Sequence, residues 1–141
     1  MDVAVIAPGY GIPPLQRRGS FVTWTRYAAV NYEIADHHMD DDVARHEGFA
    51  AAFAMAPFTF ALVQTMLRDW IGLDGRIVSV AISLRSPWLR GRLFTAAGTV
   101  TAVRPGGDET FVDLDVWADD DHGTRLVQGP ATVAFAISTR A

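Results

Sequence analysis

Acidic residues and histidines crowd one stretch of this sequence: Glu33, Asp36, His37, His38, Asp40, Asp41, Asp42 and His46 all fall between positions 33 and 46. Side chains of these types do two kinds of chemistry, proton transfer and metal ligation. Asp42 and His46 are spaced for one helical face and are the pair a metal would use. The spacing of the whole group matches no metal signature, and acidic residues at a helix start are explained by its dipole, so no metal is expected. Asp40 stands before Val43 to His46, about one helical turn stopped by Gly48, and its carboxylate is placed to cap that turn. His38 either moves protons or is a structural histidine bonded to a loop carbonyl. A second acidic run, Asp119, Asp120, Asp121 and His122, lies between two strand patterns and reads as a hairpin tip.

Composition narrows the chemistry further. The 141 residues contain no cysteine, which excludes disulfides, thiolate nucleophiles and iron–sulfur ligation and suits a reducing compartment. All twelve basic residues are arginine, which excludes Schiff-base lysines and the P-loop lysine. A net charge of −4 argues against a nucleic-acid surface. Asp2 stands where a secretory leader needs a cation, and the longest apolar stretch, Phe49 to Val63, is interrupted by Pro57 and falls short of the roughly 18 residues a membrane span needs. The expectation is a cytoplasmic chain with no membrane or nucleic-acid partner.

The elements that must position the acidic stretch follow from hydrophobic periodicity. Residues 1–19, rich in Pro and Gly, read as an N-terminal arm. Thr23 is placed to cap a short helix through Trp24, Tyr27, Ala28 and Val30, ending at Asn31. Pro57 suits the first turn of a helix from Phe58 to Ile71 that is apolar nearly all round, hence buried, and Gly72 ends it. Beyond Gly75 the period becomes two, with Val78, Val80, Ile82 and Leu84 on the buried face. Leu93 to Val103 and Thr110 to Ala118 form a hairpin about Pro105 to Asp108, and Arg125 to Ala136 is a further strand whose Pro130 suggests an edge or a bulge. One buried helix followed by at least four strands joined by short turns calls for a single α+β domain in which an antiparallel sheet wraps the helix. Such a sheet covers one side only, so a homodimer or higher even oligomer is expected.

The order His38, Met39, Asp40, Ala44, Gly48, Phe49, Phe53, Ala54, Met55 and then the apolar helix resembles the MaoC-like hydratases and dehydratases of hotdog fold. The string Ser83, Leu84, Arg85, Ser86, Pro87, Trp88, Leu89, Arg90, Gly91 is similar to that family's strand ending in an Arg-x-Pro turn, so the resemblance runs from about Val22 to Phe135. It implies a hotdog fold and acid–base hydration of 2-enoyl thioesters, or dehydration of 3-hydroxyacyl thioesters, carried on coenzyme A or an acyl carrier protein, with no cofactor. The family's active loop reads Asp-x-Asn-Pro-x-His, and a backbone N–H at the central helix entrance holds the thioester carbonyl. Carried over, His38 takes the histidine position, Glu33 the carboxylate position, and Ala54 and Met55 the backbone donor position, with Phe53, Phe58 and Asp36 beside the substrate. Ala35, Asp36 and Ala54 stand where the family has asparagine, proline and glycine.

Several readings stay open beside this one. Phe53, Phe58, Phe60, Met66 and Trp70 either line an acyl tunnel or fill the core. Arg85, Arg90 and Arg92 either meet the phosphates of a carrier or are ordinary exposed arginines. The chain can also be a catalytically silent hotdog subunit that binds an acyl group for an active partner. Thioester hydrolysis ranks last, because it would prefer a carboxylate early or midway on the central helix, which carries only Asp69 near its end.

Overall fold

The computed structural model describes residues 5–137; the leader reading of residues 1–4 and the last four residues lie outside them. In chain order the elements are β1 (Gly11–Arg18), α1 (Phe21–Asn31), a 3-10 turn (Asp36–His38), α2 (Asp41–His46), α3 (Ala56–Ile71), β2 (Gly75–Val80), β3 (Ser83–Leu84), β4 (Leu93–Gly106), β5 (Glu109–Asp120) and β6 (Arg125–Ala136). The strands form one antiparallel sheet in the order β1-β4-β5-β6-β2, with β3 also paired to β6. Its concave face wraps α3, the α+β hotdog arrangement.

Helix α3 is the axis of the core. Pro57 lies in its first turn and Gly72, at φ 59°, ends it, as the sequence predicts. Phe58, Leu62, Val63, Met66, Leu67, Trp70 and Ile71 are buried, each large apolar side chain contributing about 1.5–3 kcal/mol. Phe60, Ala61, Gln64 and Thr65 are only half-buried, a stripe one turn apart that the sheet does not cover. Opposite the helix, Phe94, Ala96, Gly98 and Val100 of β4 and Val112, Leu114, Val116 and Ala118 of β5 alternate inward.

Four local expectations are corrected. Residues 11–18 of the predicted arm are an edge strand, β1; Pro13 and Pro14 fit because the register shifts between Ile12 and Leu15 and an edge leaves their missing N–H groups without consequence. The cap of α1 is Ser20, whose hydroxyl accepts from the Thr23 N–H, rather than Thr23 itself. A register shift between Ile77 and Ser79 turns Val78 outward, and Leu84 is exposed on β3, whereas Val80 and Ile82 pack against the core as expected. Pro130 lies in a central strand, at the place where β2 gives way to β3: Val80 pairs Ala131, Ser83 pairs Gln128, and Pro130 accepts from the Ala81 N–H through its carbonyl. The neighbouring Gly129 is required there, since a Cβ would lie 1.9 Å from the Ala81 oxygen.

Among the described residues no helix is long and apolar enough to cross a membrane.

Candidate active site

The acidic stretch is divided between two tasks by its own turns. The helix α1 closes on Tyr32, which adopts a left-handed φ of 55°, and the chain then runs past Glu33 into the 3-10 turn that carries His38. Asp40 caps α2 as expected, its Oδ1 accepting from the N–H groups of Asp42 at 2.7 Å and Val43 at 3.1 Å. Asp41, the next residue, faces inward. It accepts from the Ala52 N–H at 2.9 Å and receives two hydrogen bonds from the Arg90 guanidinium, which hold its carboxyl down at about 2.

That contact joins two chain segments. The loop 52–55 is sewn to the turn after β3 by the Ala54 N–H to the Trp88 carbonyl at 2.9 Å, the Arg90 N–H to the Ala52 carbonyl at 2.8 Å and a single bridge between Phe53 and Leu89. Trp88 is fixed in turn by its indole N–H on the Arg92 carbonyl at 3.0 Å.

Between these segments lies a cavity of about 370 Å³, lined by Glu33, His38, Phe53, Ala54, Ala56 and Thr59 on one side and by residues 84–88 on the other. His38 is buried, and its Nδ1 lies 2.7 Å from the Phe53 carbonyl. A carbonyl only accepts, so Nδ1 carries the proton and Nε2 keeps the lone pair. Burial pushes the imidazole below its ordinary 6.5, with His37 adding to the fall; the Phe53 carbonyl and the charges of Glu33 and Glu47 oppose it. His37 stacks on Phe53 with ring centroids 5.0 Å apart and has its Nδ1 2.8 Å from the Glu47 carboxylate. The Glu33 side chain makes no hydrogen bond or ion pair among the described residues.

The helix entrance differs from expectation. Ala54 needs no positive φ, but its N–H is engaged by Trp88. Phe58 and Thr59 both donate to the Met55 carbonyl, and Pro57 has no N–H. Ala56, first residue of α3 and part of the lining, therefore presents the open donor. Met55 is fully buried and outside the lining.

The structure brings Glu33, His38, Phe53 and Ala54 together. It leaves out Asp36, exposed beyond the lining, and Phe58, which packs in the core on Tyr27 at 4.9 Å and Trp88 at 5.9 Å. Met66 and Trp70 are core as well. Thr59 was missed: a lone hydroxyl near the start of an apolar helix was its signal, and it donates to the Ala56 carbonyl at 2.7 Å. Among the described residues no three histidines or carboxylates gather closely enough for a metal ion.

A central helix wrapped by a curled antiparallel sheet defines the hotdog class. No family model and no curated protein matches the sequence. Solved structures do. The chain is similar to one in the ChsH1–ChsH2 complex from Mycobacterium tuberculosis (26% identity, 92% of this chain and 98% of that one, TM-score 0.80). It is also similar to the (R)-hydratase from A. caviae involved in PHA biosynthesis (22%, 92% and 96%, 0.82) and to the MaoC-like dehydratase from Rhodospirillum rubrum (20%, 95% and 95%, 0.80). The chain therefore has the hotdog fold, in the arrangement that these hydratase and dehydratase structures share.

Proposed function

We propose that this protein hydrates 2-enoyl thioesters, or in the reverse direction dehydrates 3-hydroxyacyl thioesters, with Glu33 taking and returning the proton and His38 positioning the water. The observation that carries the reading is His38: a buried neutral imidazole whose Nδ1 is fixed on Phe53, leaving an Nε2 acceptor in a pocket that an unpaired carboxylate also lines. Nε2 and Glu33 both accept hydrogen bonds and can hold one water between them. Glu33 takes a proton as the water oxygen bonds to C3, and the double-bond electrons pass to the thioester oxygen. The Ala56 N–H and the dipole of α3 stabilise that enolate. Its collapse places the proton held by Glu33 on C2, so the net change is addition of H and OH. His38, first expected among the acid–base groups without a fixed part, acts here as the acceptor that orients water. No metal or redox cofactor has a step in this reaction.

A second reading, a silent subunit that shapes an acyl pocket for an active hotdog chain, draws on the likeness to a chain of a two-component complex and on the engaged Ala54 N–H. The deciding measurement is loss of conjugated absorbance when the pure protein meets crotonyl, longer-chain and ring-bearing enoyl thioesters. Turnover supports hydration; acyl binding without turnover on any of them supports the silent subunit. The half-buried stripe on α3 favours an even oligomer, and a cytoplasmic setting is consistent with the thioester chemistry.

A further inference from the structure

One histidine of the acidic stretch has no part in the pocket. His37 lies outside the lining, yet its ring sits flat on Phe53, at an interplanar angle of 7° with the centroids 5.0 Å apart. The imidazole is also held at its edge: a carboxylate only accepts, so His37 Nδ1 donates to Glu47 at 2.8 Å. Glu47 is the C-cap of α2, the helix whose start Asp40 caps. The segment after His38 therefore turns back and grips the residue before it.

Phe53 is enclosed on further sides. Phe49 packs on its ring at 4.3 Å, the edge of His38 meets it at 5.0 Å, and its backbone is bridged to Leu89. Hydrogen bonds of Ala52 and Ala54 fix the path of the loop, and the ring contacts fix how the residue between them is turned. That turn matters because the Phe53 carbonyl receives the His38 Nδ1 proton at 2.7 Å. A neutral imidazole can carry its proton on either nitrogen, and the hydrogen bond made by one of them decides which. Moving the carbonyl by about 1 Å would take the bond beyond hydrogen-bond range and free the proton to sit on Nε2.

We propose that His37 is a positioning residue: anchored by Glu47 and laid on Phe53, it holds the Phe53 carbonyl where it keeps the His38 proton on Nδ1 and the Nε2 lone pair in the pocket. The use of that lone pair in catalysis rests on the hydration reading; the tautomer lock is tested without it. Protein labelled with nitrogen-15 at histidine is studied by long-range proton–nitrogen NMR at about pH 8, above the ordinary imidazole range, with the His38 signals assigned from His38→Ala. Wild-type His38 should show the Nδ1–H pattern alone. His37→Ala should turn it into an average of both tautomers and lower kcat about tenfold with less than about a twofold change in KM. His37→Phe, which keeps the stack, should restore the pattern and most of kcat. Glu47→Ala, a change at an exposed side chain, should move both readouts the same way by less, and it decides the matter where His37→Ala does not fold. A His38 pattern unchanged in each folded variant overturns the proposal, even where Tm falls, and so does a His37→Phe protein that behaves like His37→Ala. A tautomer that depends on His37 in a protein that turns over no enoyl thioester supports the lock and refutes hydration. Turnover with a tautomer indifferent to His37 refutes the lock and leaves hydration standing.

Discussion

Glu33 and Asp41 come from the same acidic stretch and have opposite surroundings. Asp41 meets the Arg90 guanidinium and the Ala52 N–H, so its charge is neutralised and its position fixed. Glu33 lines a cavity beside a buried neutral imidazole and, among the described residues, meets no cation. One carboxylate closes the turn onto the loop before α3, and the other is left to accept a proton. The difference shows how a single run of acidic residues builds a site: the residues after His38 anchor the backbone that those up to His38 use.

The sharpest way to test this division is to remove its most buried member. His38→Ala should lower kcat by about 100-fold or more while far-UV circular dichroism stays native, since the lost group is an acceptor toward water. Unchanged turnover would sink the mechanism.

Glu33→Gln keeps size and removes charge, so kcat should fall by roughly 100-fold with little change in KM. Glu33→Asp, shorter but still a carboxylate, should retain part of the rate. If Glu33→Gln is as active as wild type, the two carboxylates do not differ as described.

Asp41→Asn should do the reverse, lowering Tm by a few degrees with a smaller, several-fold loss of kcat as loop 52–55 loosens. The sign with pH is set by a folded value of about 2 against an ordinary 3.8: wild-type Asp41 stabilises the fold above about pH 4, and that contribution is lost as pH falls toward 2. Thermal melts between pH 2 and pH 5 should therefore show a shallower acid decline in Asp41→Asn than in wild type.

The smallest effect is a shift. Because burial favours the neutral imidazole, the acid limb of kcat/KM assigned to His38 should lie below 6.5, with activity rising as pH rises through it. A limb above 6.5 would mean that the imidazole titrates as an exposed one.

Much of this was legible in residue order. Pro57 and Gly72 bracket an apolar helix whose burial follows from its composition, and the Pro105 to Asp108 turn joins two strands whose alternation is plain. These features are local, because a helix or hairpin is specified by its own periodicity and punctuation. The Asp40 cap was equally local. The place of Glu33 and His38 came through resemblance to known hotdog sequences rather than through spacing alone.

What only the tertiary structure decided depends on contacts far apart in the chain. The Ala54 N–H is engaged because residue 88 arrives from another strand, and Phe58 turns to the core because Tyr27 and Trp88 receive it. Arg90 finds Asp41 across 49 positions, which no periodicity encodes. Pro13 and Pro14 are tolerated in β1 only because that strand is an edge, and Pro130 in β6 only because its neighbour breaks there. Sequence by itself determined the helix, the hairpins and the cap, whose hydrogen bonds close within a few residues; the folded chain decided which donors, charges and faces remained open, because those are settled by whatever packs against them.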